Sequence, residues 1–398
     1  MGGRRWTRAL ATVLALLMLA ACGGGEAQSS GEAVAPSEPT SSETSAPTAP
    51  SPEAAATAAE APSDIEAVYE QLAAVPSDQR REALTTMAAA EQESGGDFYL
   101  YTPLDPNELQ PILEGFTASS GVPAPELYQA SASSLRERLI TEAAAGQVGG
   151  DIITGNSTEM LILSSEGIFE PLTSPVVEAL ERGVYEDWVA VFFSAFIGAW
   201  NTNGAAQVPQ SWEEILTSTE NLAMGGGDYD FLATLVKDYF MAELGMTEAD
   251  AIEVFRQAAC GATFVQGHTL QAELLAAGEF DFATSVYHHQ IIEGMGEGAP
   301  VAWEPAIEPI VLIPNGAAIG RDTDRPASAL LFLEHLLQDG QATFAELNRT
   351  PVASGIDGGV PSEHTTLIVD EEAQLGEREK WDALYEELTR CSGRPVRE

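Results

Sequence analysis

The chain has 398 residues, with 61 Asp and Glu against 18 Lys and Arg, and a formal net charge of -43. A chain this acidic argues against nucleic acid and anionic membrane surfaces as partners, because both would repel it. Its length beyond Pro62 is enough for two lobes rather than one.

The first residues have the pattern of a targeting segment. Arg4, Arg5 and Arg8 precede an apolar run that ends at Ala21 and is too short to span a bilayer. The sequence Leu-Ala-Ala-Cys that ends at Cys22 resembles a bacterial lipobox. We therefore predict a signal peptide over residues 1–21 and lipidation of Cys22, which would anchor the protein to the outer side of the cell membrane. An ordinary signal peptide followed by an unrelated cysteine is the alternative.

Residues 22–61 are rich in Ala, Ser, Pro, Thr and Glu and contain no aromatic side chain. Such a segment cannot bury enough apolar surface to offset its chain entropy. We predict a disordered tether that holds a folded body, residues 62–398, away from the membrane.

Two cysteines remain in the predicted body, Cys260 and Cys391. An extracytoplasmic compartment is oxidising, so the simplest prediction is a disulfide between them. Two free thiols, or a metal site shared with histidines, are the alternatives.

The first part of the body alternates between short strand and helix patterns. Apolar residues with a period of two predict strands, and longer amphipathic stretches predict helices. The predicted strands are DFYLYTPL, PELYQA and GGDIITG, and the helices between and after them are NELQPILEGFTASSG, SSLRERLITEAAAG and TEMLILSSEG. This alternation predicts an α/β fold in which helices flank a central, largely parallel sheet.

Ligands of such sheets bind at the carboxyl ends of the strands. The polar residues predicted there are Tyr101 and Thr102 after the first strand, Ser133 after the second, and Asn156 and Ser157 after the third. We predict these side chains as ligand-binding residues. Alternatively, the Ser, Thr and Asn side chains only cap the helices that follow.

A second α/β unit begins near FSAFIGAWNTN and continues through two amphipathic helices to HTLQAELLAAGEFDFATSVYHH, predicted as a helix followed by a strand. After Pro300 the strand PIVLIPNGAAIG returns to the first unit, followed by the helical pair ASALLFLEHLLQDGQATFAELN. We therefore predict one lobe over residues 62–198 and 300–398 and a second lobe over residues 199–299.

Several stretches together resemble bacterial extracellular solute-binding proteins of ABC importers, most closely the ferric-iron-type binding proteins. They occur in the family's order and spacing from about Ile65 to Val352. The matching pieces are Leu100-Tyr101, Gly115-Phe116 with Gly121-Val122, Leu135 to Gly146, Asp151-Ile152, GAWNTN, PQSWEEIL and GAPVAWEP.

This resemblance implies a periplasmic-binding-protein type 2 fold, with two hinge-linked α/β lobes that close over a solute. The loaded form would then dock, as a monomer, on a membrane permease driven by an ATPase. Closure would follow from differential binding, because a solute that contacts both lobes favours the closed state. No catalysis is required.

Ferric binders of this family hold the metal with two adjacent tyrosines of the second lobe. Here the corresponding stretch is Tyr287, His288 and His289, which we take as candidate metal ligands. Neutral imidazole suits Fe(III) less well than phenolate does. The bound solute is therefore either Fe(III), free or chelated, or a small organic or phosphonate-type solute.

An organic solute would use aromatic walls from Tyr287 and Trp200 and hydrogen bonds from Asn201 and the turn residues, with His288 facing the ligand. A cationic solute would suit both the aromatic walls and the acidic chain. Trp200 could equally be a core residue, and the histidines could be solvent-facing.

Two other classes of function remain. A hydrolytic enzyme is disfavoured because the sequence has no P-loop, no His-Glu-x-x-His and no Gly-x-Ser-x-Gly. A membrane-anchored sensor with the same fold but without transport is the other alternative.

Overall fold

The structure is a computed structural model that describes residue 62, residues 64–218 and residues 221–398. The predicted signal peptide over residues 1–21, the lipidation of Cys22 and the tether over residues 22–61 lie outside the described residues. No helix in the described ranges is long and apolar enough to cross a membrane.

The described strands form one mixed sheet flanked by helices, which confirms the predicted α/β class, although a separate central sheet is expected in each lobe of the predicted fold. They are β1 (Tyr99–Thr102), β2 (Glu126–Gln129), β3 (Ile152–Asn156), β4 (Val189–Asn201), β5 (Leu222–Gly225), β6 (Thr263–Val265), β7 (Phe282–Tyr287), β8 (Val301–Ala302), β9 (Ile310–Ile319), β10 (Thr350–Pro351) and β11 (Thr366–Ile368).

The main strand order is β2-β1-β3-β9-β4-β7-β5-β6. We call β2-β1-β3, with their helices, the first half and β7-β5-β6 the second half. Strand pairing is parallel within β2-β1-β3 and within β7-β5-β6, so the carboxyl ends of each set lie at one edge. The long antiparallel strands β4 and β9 join the two halves.

The predicted lobe boundary near residues 198–199 falls inside β4, which pairs with β9 over its first part and with β7 over its last part. The chain therefore passes between the halves within regular strands. The remaining short strands pair with β4 or β9: β8 and β10 with β4, and β11 with β9.

Helices cover the sheet. They are α1 (Ile65–Ala73), α2 (Arg80–Glu93), α3 (Pro106–Ser120), α4 (Ala132–Ala144), α5 (Ser157–Ser165), α6 (Pro175–Glu178), α7 (Trp212–Leu216), α8 (Tyr229–Thr234), which continues as a π-helical segment over Leu235–Met241, α9 (Glu248–Gly261), α10 (His268–Ala276), α11 (His288–Gly296), α12 (Pro326–Leu337), α13 (Asp339–Glu346), α14 (Glu371–Leu375) and α15 (Arg378–Cys391).

Local sequence explains where the helices near the carboxyl ends of β1, β2 and β3 begin and end. The side chain of Ser131 accepts a hydrogen bond from the Ser134 amide (3.3 Å) at the start of α4, and Asn156 accepts one from the Glu159 amide (3.0 Å) at the start of α5. Gly121 closes α3 with φ of 73°, a conformation that glycine adopts without strain.

The strand predicted through His288 and His289 is wrong at its end. β7 stops at Tyr287, and α11 begins at His288. Tyr287 occupies the cap position without a side-chain cap hydrogen bond, so the usual Ser, Thr, Asp or Asn signal for a helix start is missing from the sequence.

The C-terminal residues are integral to the second half. Cys391, at the end of α15, forms a disulfide with Cys260 of α9, and their Cα atoms lie 4.7 Å apart. Beyond it, Arg397 pairs with the outer strand β6: its amide donates to the Phe264 carbonyl (2.9 Å), and its carbonyl accepts from the Gln266 amide (2.8 Å). The last residues therefore cover the edge of β6.

Candidate functional site

The polar turns of the two halves meet beside the middle of β4. The Thr158 hydroxyl, at the start of α5, lies 3.3 Å from the Tyr229 hydroxyl at the start of α8. Arg349 donates to Glu108 of the first half (2.8 Å) and to Nδ1 of His289 of the second half (3.1 Å). We call this region, where the strand ends of both halves converge, the closing surface.

Aromatic rings occupy the second-half side of the closing surface. The Tyr287 ring stacks on Phe196 of β4 with centroids 5.1 Å apart, and the His268 ring centroid lies 4.4 Å from it. Burial, and then the charges of Asp228 and Asp230, raise the pKa of Tyr287 well above its usual value. The phenol is therefore protonated at neutral pH.

Buried carboxyl groups lie beside these rings, and sequence reasoning missed them. Asp228 is only 5 % exposed, and burial raises its pKa to about 7. Burial and the neighbouring Asp228 raise the pKa of Asp230 to about 7 as well. The motif GGGDYDF, which places two acids directly after three consecutive glycines, is the sequence signal that could have identified them.

A third buried acid comes from the C-terminal region. Glu371 of α14 is 3 % exposed and accepts a hydrogen bond from the Ser157 hydroxyl; Thr158 donates to its second oxygen (3.5 Å). Burial and the charge of Asp230 raise the pKa of Glu371 to about 7. No local pattern in the sequence links Glu371 to the third strand turn, because the contact depends on how α14 packs.

Ser285 has a left-handed backbone. Its φ is 54°, which is uncommon for a residue other than glycine. It lies two residues before Tyr287, on the strand that carries this ring to the closing surface. Such strained positions cluster at functional sites, where the surrounding structure holds them in place.

The two predicted histidine ligands point to different neighbours. The His288 ring packs edge-on against Trp303 (centroids 4.7 Å apart) and is 3 % exposed. The His289 ring instead lies 5.2 Å from the Tyr287 ring and accepts the hydrogen bond from Arg349. Within the described ranges, no three His, Cys, Asp or Glu side chains are grouped so that they could hold a metal ion.

Of the predicted first-half residues, only Ser157 contacts one of these acids. Asn156 is used as the cap of α5. The Thr102 hydroxyl is buried and accepts from Thr154 (2.8 Å), and the Tyr101 hydroxyl accepts from Arg138 (2.9 Å) beneath α4. Ser133 is exposed, with its hydroxyl 3.3 Å from that of Ser131.

Trp200 and Asn201, predicted as ligand-binding residues, lie away from the closing surface. Trp200 pairs with Phe282 at the opposite end of β7 from Tyr287 and is 3 % exposed in the core. The Asn201 amide nitrogen donates to the Leu275 carbonyl (2.8 Å), and its oxygen accepts from the next turn. Both side chains are therefore structural.

Small cavities lie between the described residues at the closing surface. A cavity of about 10 Å³ lies between Thr158, Tyr229, Glu371 and Arg378, and another of about 10 Å³ lies between Leu104, Thr154, Phe192 and Asn315. Each is about the size that one water molecule requires. Neither of these two cavities is large enough for an organic solute.

No protein-family model and no curated protein sequence matches the chain. Solved structures do match its fold. The fold is that of a type 2 periplasmic binding protein. The Atu4243-GABA receptor superposes with a TM-score of 0.61 at 15 % identity, covering 74 % of this chain and 98 % of its own.

Two further matches have iron or an opine in the names of their structures. Trichodesmium IdiA (FutA), in complex with iron and citrate, gives a TM-score of 0.60 at 16 % identity and covers 74 % of this chain and 99 % of its own. MotA from A. tumefaciens B6, in complex with glucopine, gives a TM-score of 0.58 at 15 % identity and covers 74 % of this chain and 100 % of its own. At these identities the likeness establishes the fold alone.

Proposed function

We propose that this protein is the substrate-binding component of an ABC-type importer, which captures a small solute between two lobes and delivers it to a membrane permease driven by an ATPase. The observation that carries the proposal is the closing surface, where polar side chains of both halves meet beside the aromatic rings of the second half, around cavities of about 10 Å³. A solute bound there would contact both halves and favour closure.

The proposal includes attachment outside the cell membrane through a lipid on Cys22, with the body acting as a monomer. The permease, the ATPase and the anchor are supported by the type 2 fold and by the sequence pattern of the N-terminus. Binding and release by closure require no chemical step, and we propose no catalytic residue.

We favour an organic solute over Fe(III) or an iron chelate. Ferric binders hold the metal with two adjacent tyrosines, whereas here His288 follows Tyr287, and neutral imidazole suits Fe(III) less well than phenolate does. His288, the sequence neighbour of Tyr287, turns to Trp303 instead. Structural neighbours bind both kinds of solute, iron in FutA and glucopine in MotA, so the fold does not decide between them.

Small-angle scattering with a captured solute tests the proposal. We expect the radius of gyration to fall and the melting temperature to rise on binding. A solute that binds without compaction would contradict the trap mechanism. Loss of solute uptake after deletion of the gene would support import, whereas undiminished uptake with intact binding would favour the sensor alternative.

A further inference from the structure

Asp228 is a buried carboxylate without a cationic partner among the described residues. Its Oδ2 atom is buried and accepts no well-formed hydrogen bond there; the neighbouring Ser285 hydroxyl, which lowers the pKa of Asp228, donates to the Thr284 carbonyl (2.7 Å). Among the basic side chains of the described ranges, only His268 lies within 4 Å of it, with Nε2 3.5 Å from Oδ1. That separation is longer than the roughly 2.7–2.9 Å of a charge-assisted hydrogen bond, so His268 does not form a close ion pair with Asp228. Burying an uncompensated carboxylate is costly, and a bound positive charge would offset that cost.

The backbone around Asp228 is built to place the carboxylate at this position. Asp228 stands at the cap position of α8, yet its side chain makes no cap hydrogen bond. A Cβ on Gly225, the last residue of β5, would collide with the Asp228 carboxylate and would approach the Ser285 hydroxyl to 2.8 Å. The carboxylate thus occupies space that glycine leaves open, beside the strained end of β7, instead of capping its own helix.

Aromatic faces lie next to this carboxylate. The His268 ring is in contact with the rings of Tyr287 and Phe196, with centroid distances of 4.4 and 4.9 Å. A carboxylate combined with aromatic rings is the arrangement that attracts ammonium groups, by charge and by the ring quadrupole.

The other charges of the closing surface do not supply a positive partner to Asp228. Arg378 lies 5.5 Å from the Tyr229 ring and pairs with Asp382 (3.3 Å). Arg349 pairs with Glu108 (2.8 Å). Asp230, which is partly buried, adds a further carboxyl group near Asp228.

We infer that the solute is an organic cation, whose ammonium or amidinium group binds the Asp228 carboxylate beside the rings of Tyr287 and His268. The inference rests on the proposed capture function and names the substrate class of the same site. An organic cation fits better than a metal ion, because within the described ranges Asp228 and His268 have no third His, Cys, Asp or Glu placed to complete a metal site.

The first test uses the unmodified full chain. A metal-free extract of small molecules is separated at pH 7 on a cation exchanger into a retained, cationic fraction and a flow-through of neutral and anionic compounds. Each fraction is incubated with the protein and examined by native mass spectrometry and thermal unfolding. We expect a bound organic mass and a higher melting temperature with the retained fraction only.

The second test uses Asp228→Asn, which keeps the shape of the side chain and removes its charge. We expect at least a tenfold loss of affinity for the captured cation, whereas the matched control Asp78→Asn, at an exposed position, should bind like the unmodified chain. If Asp228→Asn does not fold, the comparison of the retained fraction with the flow-through still tests whether the solute is a cation.

Each outcome has a distinct meaning. A neutral or anionic compound bound from the flow-through, or unchanged affinity in Asp228→Asn, would overturn the cation inference and leave solute capture standing. A bound mass from neither fraction would overturn the capture function itself. Binding of a metal ion alone, when it is added back, would also overturn the inference, since an organic solute would then be unnecessary.

Discussion

Arg349 donates a hydrogen bond to Nδ1 of His289 across 3.1 Å. This bond joins a loop beside the first half to α11 of the second half, because Arg349 also pairs with Glu108 of α3. Burial and the adjacent Arg349 lower the pKa of His289 to about 2. The imidazole therefore remains an acceptor throughout the range from pH 5 to pH 8.

We expect Arg349→Met to weaken closure. The substitution keeps an apolar stem and removes charge-assisted bonds that are worth about 1–3 kcal/mol. Small-angle scattering should show a larger radius of gyration for the variant at pH 5, 7 and 8 alike. Arg390→Met, on an exposed pair at the surface of α15, is the matched control. Identical scattering from Arg349→Met and the control would show that this contact does not hold the halves together.

We expect Asp228→Asn to change the pH dependence of stability. The folded-state pKa is about 7 against an ordinary value of 3.8, so the folded protein retains a proton that the unfolded chain loses between these values. The free energy of unfolding of the unmodified chain should therefore fall, relative to the variant, as pH rises from about 4 to 7. Each unit of pKa shift corresponds to about 1.4 kcal/mol.

Urea unfolding at a series of pH values measures this difference. The groups facing Asp228 are His268, Asp230, Tyr287 and Tyr385. They are present in both proteins, but the charge of Asp228 also raises the pKa of Asp230, so the substitution lowers the pKa of Asp230 and the measured difference includes both carboxyl groups. Asp78→Asn should follow the unmodified chain. Parallel pH profiles for the unmodified chain and Asp228→Asn would contradict the unpaired, buried state of this carboxyl group.

We expect no phenolate-to-iron charge-transfer band when Fe(III) is added. Tyr287 has no adjacent tyrosine, and the neighbouring His288 is packed on Trp303 rather than turned toward the phenol. Visible absorption spectra of the unmodified chain and of Tyr287→Phe should therefore coincide after iron loading. A band present in the first and absent in the second would establish Tyr287 as a ferric ligand.

We expect the double variant Cys260→Ser with Cys391→Ser to lose about 2–5 kcal/mol of unfolding free energy. The disulfide spans 131 residues, and closing so long a loop restricts the unfolded chain strongly. Denaturant unfolding with and without reductant checks this. Reductant should lower the stability of the unmodified chain to that of the variant and leave the variant itself unchanged; equal stability without reductant would show that the bridge contributes nothing.

The sequence predicts the α/β fold because the helix and strand periods are clear over whole elements. Pattern alone could not locate the closing surface. The sequence places Trp200 in a strand but does not show which part of the neighbouring strand it faces. Its pairing with Phe282 in the structure puts it beside the end of β7 opposite to Tyr287. Glu371 reaches Ser157 through the packing of α14, which no local spacing encodes.

Arg397 pairs with β6 at the outer edge of the sheet. An uncovered edge strand offers free N–H and C=O groups to other chains and promotes aggregation. A chain shortened before this residue would present the β6 edge to its neighbours in solution. We therefore expect C-terminal truncation to reduce solubility before it affects the closing surface, and affinity tags fused directly to the last residue to crowd this edge.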